Sequence, residues 1–384
     1  MYFCKKNCTQ TMKFSHLILV FGLIAVLVSC QSKQTLVQQT KTTHQGLNPL
    51  ADRPKNVILL IADGTGLSQI SALQYYKQDR VHYERFEHIG LIKTSSSSEL
   101  ITDSAAGATA FATGSKTYNG AIGVSKDTIP LPTLIEQLQQ EDYATGVIAT
   151  SSITHATPAS FYAHVDYRKK EEEIATFLLE SNIDFFAGGG RDFFKGRSDQ
   201  KDYIQAFTEK GYLIGTDTLY PKQWMDGSKK YGYLLAPKGM PKMIEGRGDF
   251  LPNATRLGLD RLSKNDDGFF LMIEGSQVDW GGHDNDAPYL IGEIIDFDNA
   301  LGVALDFAKK DGNTLVVVTA DHETGGFTLS SQDGDYNVIE PTFSTGGHSG
   351  TMVPVFAYGP GAENFTGVYE NTGIYTKLKK LLRL

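Results

Sequence analysis

Cysteine is nearly absent from this chain. Three occur in 384 residues, Cys4, Cys8 and Cys30, and none follows residue 30. No disulfide can staple the bulk of the molecule, so its stability has to come from a packed core. Basic clusters with interleaved aromatics are also missing, and the formal charge is −8. That argues against a nucleic-acid-binding surface; a solvated acidic exterior accounts for the charge. What the chain does have is a 41% hydrophobic share and 39 glycines. These suit one sizeable domain with a large core and many tight turns between elements.

The N-terminus reads as a targeting segment. Lys13 precedes the apolar run Phe14 to Val28, interrupted only by Ser15 and His16. A membrane span needs ~20 residues, so this run is short for one and fits a signal h-region. The run closes on Leu27-Val28-Ser29-Cys30, which resembles a bacterial lipobox. Residues 1–29 are therefore expected to be a lipoprotein signal peptide, with Cys30 lipidated after cleavage. Met12-Lys13 and the apolar run already make a complete signal, so the start is open between Met1 and Met12. Residues 30–52, polar and rich in Gln and Thr, are expected to form a flexible tether. The protein is then exported, held to a membrane through Cys30, and faces the periplasm or the cell surface.

The domain expected over residues 53–384 alternates apolar runs with helical stretches. Val57 to Ala62, Phe269 to Ile273 and Leu315 to Ala320 are almost continuously apolar. Such runs are strands covered on both faces of a parallel sheet. Ile89 to Thr94, Ala144 to Thr150 and Ile183 to Ala187 also read as strands. Ala105 to Ala112, Leu131 to Gln140, Lys169 to Leu179, Ala287 to Lys310 and Tyr369 to Leu384 read as helices. The order predicts an α/β fold with a doubly wound, mostly parallel central sheet flanked by helices. Asp192 to Asn253 breaks the rhythm and is expected to be a small irregular insertion, a cap over the site or an oligomer contact.

Chemistry-bearing residues gather at the strand ends. The three apolar runs lead into Asp63, into Glu274, and into Asp321-His322. Ligands in open α/β sheets bind beyond the carboxyl ends of strands, so these residues should meet at one edge. Asp279 and His283 follow Glu274 at i, i+4 spacing, and His348 lies in a glycine-rich stretch. Carboxylate with imidazole suits zinc, whereas an all-oxygen set suits magnesium. Ser104, in Thr102-Asp103-Ser104-Ala105-Ala106-Gly107, should sit at a helix N-terminus, where unpaired N–H groups favour negative charge. Alone, that segment reads more readily as a capping serine, and the partners elsewhere in the chain reverse that reading.

Taken together, these segments resemble the alkaline phosphatase family. The resemblance runs from about Asn56 to Pro360. It is carried by Ile61-Ala62-Asp63-Gly64-Thr65-Gly66, Thr102-Asp103-Ser104-Ala105-Ala106, and Thr113-Gly114-Ser115-Lys116-Thr117-Tyr118-Asn119-Gly120. It continues in His155-Ala156-Thr157-Pro158 through Arg168, Glu274 through Asp279 to His283, Thr319-Ala320-Asp321-His322, and His348. The resemblance implies hydrolysis of phosphate monoesters through a phosphoserine at a site of two zinc ions and one magnesium. It makes Ser104 the nucleophile and Arg168 the phosphate grip, oriented by Asp103. Asp63, Asp321 and His322 would hold one zinc, and Asp279, His283 and His348 the other. Thr157 and Glu274, with Asp63 bridging, would hold magnesium. Many relatives are homodimers, but the irregular Asp192–Asn253 stretch makes their contacts unsafe to transfer.

Two positions depart from the best-known pattern. His155 stands where one branch of the family has aspartate, and Trp280 where others have lysine or histidine. An imidazole beside the third metal would weaken magnesium and favour zinc or cobalt. Sulfatases of the superfamily need Cys-x-Pro-x-Arg or Ser-x-Pro-x-Arg, which Ser104-Ala105-Ala106-Gly107-Ala108 is not. Diesterases mostly use a threonine nucleophile. A phosphate-binding lipoprotein without catalysis would be expected to have lost a nucleophile or ligand, and none is missing.

Overall fold

The computed structural model describes residues 53–384; the signal segment, Cys30 and the tether lie outside the described residues. The strands are β1 (Asn56–Ala62), β2 (His88–Lys93), β3 (Ala144–Ser152), β4 (Phe185–Gly189), β5 (Tyr212–Gly215), β6 (Lys230–Leu234) and β7 (Phe269–Gly275). They continue with β8 (Thr314–Thr319), β9 (Glu323–Thr324), β10 (Thr328–Gln332), β11 (Asp335–Thr342), β12 (His348–Ser349), β13 (Val353–Tyr358) and β14 (Gly367–Glu370). The helices are α1 (Leu67–Tyr76), α2 (Ser104–Thr113), α3 (Leu134–Gln140), α4 (Ala156–Ala159) and α5 (Glu171–Glu180). After them come α6 (Tyr203–Glu209), α7 (Phe250–Leu262), α8 (Gln277–His283), α9 (Ala287–Asp311) and α10 (Gly373–Leu382).

Ten strands make one sheet in the order β14-β2-β13-β8-β1-β7-β3-β4-β6-β5. All pairs are parallel except those of β13, which runs antiparallel to β2 and β8. Successive residues of β1 feed opposite cores. Val57, Leu59 and Ile61 pack on one face with Phe111 and Phe270, while Ile58 and Leu60 pack on the other with Leu290 and Phe297. Burial on both faces is what the unbroken apolar runs predicted. Register then fixes the site. Ile61 pairs with Glu274 of β7 and with Thr319 of β8, so β1, β7 and β8 end level with one another.

Three expectations need correction. Asp192–Asn253 is not irregular: β5 and β6 within it add two strands to one edge of the main sheet, α6 leads into β5, and its last residues begin α7. Tyr369 lies in β14, and the terminal helix starts only at Gly373. Ser104 does not cap its helix; Asp103 does, accepting from Ala106 N at 3.0 Å, and Ser104 is the first helical residue. The long helix α9 is unbroken, capped by Asp286 and ended by Gly312 in the left-handed region. No helix among the described residues is long and apolar enough to cross a membrane.

Candidate active site

The sheet edge gathers the predicted residues. Asp63 and Asp321 follow β1 and β8, and Glu274 closes β7; all three are fully buried. The turn after β1 brings Gly64 N to 3.2 Å from Asp321 Oδ1. Gly64 has φ +71°, and a Cβ there would lie 2.6 Å from Asp279 Cα, so only glycine allows this approach. Asp279, His283 and His348 lie together, as do Asp63, Asp321 and His322; within each group one ligand atom per residue lies within 4.8 Å of the others. A third such group joins Asp63 and Glu274 to His155. His155 is thus brought among the carboxylates themselves, closer than a supporting role requires.

Each imidazole is oriented by its second nitrogen. His283 Nδ1 donates to Gly346 O at 2.8 Å, and His348 Nδ1 to Thr102 O at 2.9 Å. His322 Nδ1 faces Thr324 Oγ1 at 3.2 Å, and that hydroxyl in turn donates to Asp279 Oδ1. All three rings therefore turn Nε2 inward as a lone pair, the form in which imidazole ligates metal. His322 Nε2 lies 3.4 Å from Asp321 Oδ2 and 3.6 Å from Asp63 Oδ1. His348 Nε2 lies 3.6 Å from Asp279 Oδ1.

Ser104, at the head of α2, places Oγ 3.3 Å from His322 Nε2. Arg168 Nη1 pairs with Asp103 Oδ2 at 2.9 Å, and Gly120 N donates to the same oxygen at 3.0 Å. Arg168 Nη2 lies 3.2 Å from His155 Nε2. Trp280 meets the His155 ring edge-on, with centroids 5.8 Å apart. Thr157 lies inside α4, whose N-cap is His155.

The donor set fits metal ions. Asp63 Oδ1 and Oδ2, Asp321 Oδ2, Glu274 Oε1 and Thr157 Oγ1 are buried without a hydrogen-bond partner among the described residues. Leaving that many buried oxygens unpaired is costly unless cations complete the site. Burial, reinforced by Asp321, Asp279 and Glu274, pushes the Asp63 carboxyl well above its usual range. Burial likewise raises Asp321, and raises Glu274 to about 7. Burial, with His348 beside it, lowers His322 to about 3 and so keeps that ring neutral. Burial and then Arg168 do the same to His155, also to about 3.

Reasoning from the sequence missed the supporting residues. Ser276 Oγ and Ser151 Oγ donate to Glu274 Oε2 at 2.6 and 3.3 Å. Asn119 Oδ1 accepts from Asp103 N at 3.2 Å, and Thr324 bridges His322 and Asp279. Thr324, two places after His322, and Ser276, two places after Glu274, carried a readable signal in their closeness in sequence.

A mostly parallel sheet delivering carboxylates and imidazoles to a serine at a helix N-terminus defines a metal-dependent hydrolase of the α/β class. Comparison with known proteins narrows this. The alkaline phosphatase family model matches residues 54–341 and 336–384. Alkaline phosphatase 3 of Bacillus subtilis is 36% identical, over 86% of this chain and 90% of its own. The Escherichia coli alkaline phosphatase is 31% identical, over 87% and 88%. The solved alkaline phosphatase of the Antarctic bacterium TAB5 is 56% identical, with a TM-score of 0.85 over 86% of this chain and 99% of that one. Variants of that enzyme with one histidine replaced by aspartate or glutamate hold magnesium in the M3 site. The chain belongs to the alkaline phosphatase family. It is a phosphoric monoester hydrolase that works at a metal site.

Proposed function

We propose that Ser104 is the nucleophile that receives the phosphoryl group, and that two zinc ions and one magnesium complete the pocket around it. The observation that carries this reading is the position of Ser104 Oγ, 3.3 Å from His322 Nε2 at the head of α2, among carboxylate oxygens without partners. Asp63, Asp321 and His322 would hold the ion next to Ser104; Asp279, His283 and His348 the ion toward solvent; Thr157 and Glu274, with Asp63, the third. Bound there, such ions lower the pKa of a hydroxyl or water and neutralise phosphoryl oxygens.

The remaining work belongs to the chain. The first N–H groups of α2 and its dipole stabilise negative charge at Ser104. Asp103 holds Arg168 by Nη1, so the guanidinium presents its other N–H groups as a fork to two phosphate oxygens. His283 and His348 lie nearer solvent, with side chains 39% and 16% exposed, which suits departure of an alcohol on that side. His155 takes the place of a carboxylate at the third site, and Trp280 against it removes a cation from the phosphate side. This pairing supports a third site less selective for magnesium. Export, anchoring through Cys30 and a homodimer complete the proposal; a Cys30→Ser chain that still takes up labelled fatty acid would overturn the anchor.

The test combines metal analysis with turnover of nitrophenyl phosphate, its diester and its sulfate. The expected result is two tightly held zinc ions, a third weaker site, and preference for the monoester. Ser104→Ala should lose turnover by on the order of 10³ or more while still taking up zinc and phosphate. Undiminished turnover by Ser104→Ala overturns the assignment of the nucleophile.

A further inference from the structure

Glu323 lies where three ligand-bearing segments meet, and the phosphoryl-transfer reading makes no use of it. It is 5% exposed. Its Oε1 accepts from Gln69 Nε2 at 2.8 Å and from Phe327 N at 3.1 Å. Its Oε2 accepts from Ser349 Oγ. Gln69, fully buried on α1, accepts from Gly66 N at 3.0 Å and donates also to Thr324 O at 3.1 Å. Gly66 belongs to the turn that follows Asp63, and a Cβ there would lie 2.8 Å from Glu323 Cγ. Across the ribbon of β9 and β12, Glu323 pairs with Ser349, and Thr324 with His348. One carboxylate thus ties together the turn after Asp63, the loop bearing Asp321 and His322, and the strand bearing His348.

The tie is needed. The β9–β12 ribbon is two residues long on each strand, too short to hold its own register. Of residues 341–352 only Phe343 packs on the core, against Phe327, so the His348 segment is held chiefly by hydrogen bonds, among them Gly325 N to Gly347 O at 2.9 Å and His348 Nδ1 to Thr102 O at 2.9 Å. We propose that Glu323 is a positioning residue: through Gln69 and Ser349 it sets the spacing between the His322 and His348 segments, and with it the affinity of the pocket for metal. The proposal rests on the metal-site reading above. It also says which property of Glu323 matters. Three donors converge on its carboxylate, and removing it strands them. Glutamine keeps the set, because its carbonyl can face Gln69 and Phe327 while its amide donates to Ser349 Oγ. The hydrogen-bond pattern, not the charge, is what positions the histidines.

The experiment uses the full chain as wild type, Glu323→Gln, Glu323→Ala and Ser349→Ala. It measures zinc retained against a fixed concentration of chelator, and the visible spectrum of the cobalt-substituted protein, which reports ligand geometry. Glu323→Ala should bind zinc about 10- to 100-fold more weakly, with an altered cobalt spectrum. Ser349→Ala should shift both readouts the same way by less, and Glu323→Gln should stay within about twofold of wild type on the hydrogen-bond argument. If Glu323→Ala does not fold, Ser349→Ala against Glu323→Gln decides. Wild-type zinc retention and an unchanged cobalt spectrum in Ser349→Ala and Glu323→Ala overturn the proposal, even if melting temperature falls. A wild-type chain that takes up neither metal overturns the metal-site reading and this proposal with it.

Discussion

Asp103 serves two structures with its two oxygens. Oδ1 caps α2 through Ala106 N, while Oδ2 receives Gly120 N and Arg168 Nη1. The helix that presents Ser104 and the arginine assigned to phosphate are thus set by one side chain. The consequences separate by substitution. Asp103→Ala should lose about 0.5–2 kcal/mol of cap stability and also free the guanidinium. Asp103→Asn keeps a capping oxygen but gives up the charge. Its amide NH2 then faces Gly120 N and Arg168 Nη1, so it should keep the cap, lose about 1–3 kcal/mol through the stranded Gly120 N–H, and bind inorganic phosphate several-fold more weakly. Phosphate inhibition constants beside melting curves check this, and inhibition equal to wild type in both variants would detach Arg168 from phosphate. The pairing of Asp103 with Arg168 was readable through family resemblance. The cap was not assigned correctly, because Asp and Ser are both good caps and only the backbone decides which of two neighbours takes the role.

At the scale of elements, legibility followed burial. β1, β7 and β8 are apolar throughout because both faces are covered, and their ends could be placed within a residue or two. β5 and β6 lie at the outer edge of the sheet as Tyr-Leu-Ile-Gly and Lys-Tyr-Gly-Tyr-Leu, and two of the four β5 side chains are not buried. β6 is buried at four of its five positions, but it is short and broken by Gly232, and β5 is the edge strand, so neither carries a long apolar run and their segment looked irregular. The tertiary role of α9 was also hidden. It buries Glu293 and Asp296 against Arg247, whose side chain is 1% exposed, with Nη2 2.8 Å from Asp296 Oδ2. Burial raises both acids, Asp296 to about 6, although Arg247 pulls the other way. Arg247→Met should therefore cost about 3–5 kcal/mol, because two carboxylates are left buried without a cation. Adding Glu293→Gln and Asp296→Asn should recover most of that loss. Urea unfolding of the single and triple variants measures it, and a neutral Arg247→Met would show that water reaches the acids.

Across the whole molecule, the fold assembles a pocket whose charge is balanced only from outside. Asp63, Glu274 and Asp321 are carried by different strands, and their convergence depends on the level ends of β1, β7 and β8. That convergence was predictable from strand order alone; the backing of Glu323 and Gln69 was not, because those contacts span more than 250 residues or cross a ribbon of two. The imbalance has a consequence for stability. In the metal-free fold, burial holds Glu274 near 7, with Asp63 and Asp321 also raised. A carboxyl whose folded pKa exceeds its unfolded one contributes stability at low pH that is lost as pH rises through the folded value. His322 and His155, both lowered to about 3, act oppositely, but only below the ordinary imidazole value of 6.5, where the unfolded chain takes up protons that the fold refuses. Above 6.5 the carboxyls govern. His164 adds the same sign: burial lowers it, but its hydrogen bond to Glu136 outweighs that and raises it, with or without metal. The difference between metal-free and metal-loaded protein therefore isolates the pocket. Metal-free protein should melt lower at about pH 8 than at about pH 6.5, while zinc and magnesium, which bind the ionised carboxylates, should remove that fall and widen the gap as pH rises. Glu274→Gln should flatten the metal-free slope in part. Calorimetry of chelator-treated and reloaded samples across this range makes the comparison. A metal-free melting temperature that holds or climbs toward pH 8 would mean that the carboxyls ionise freely without cations, as when water fills the emptied pocket, and would overturn the linkage between their burial and stability.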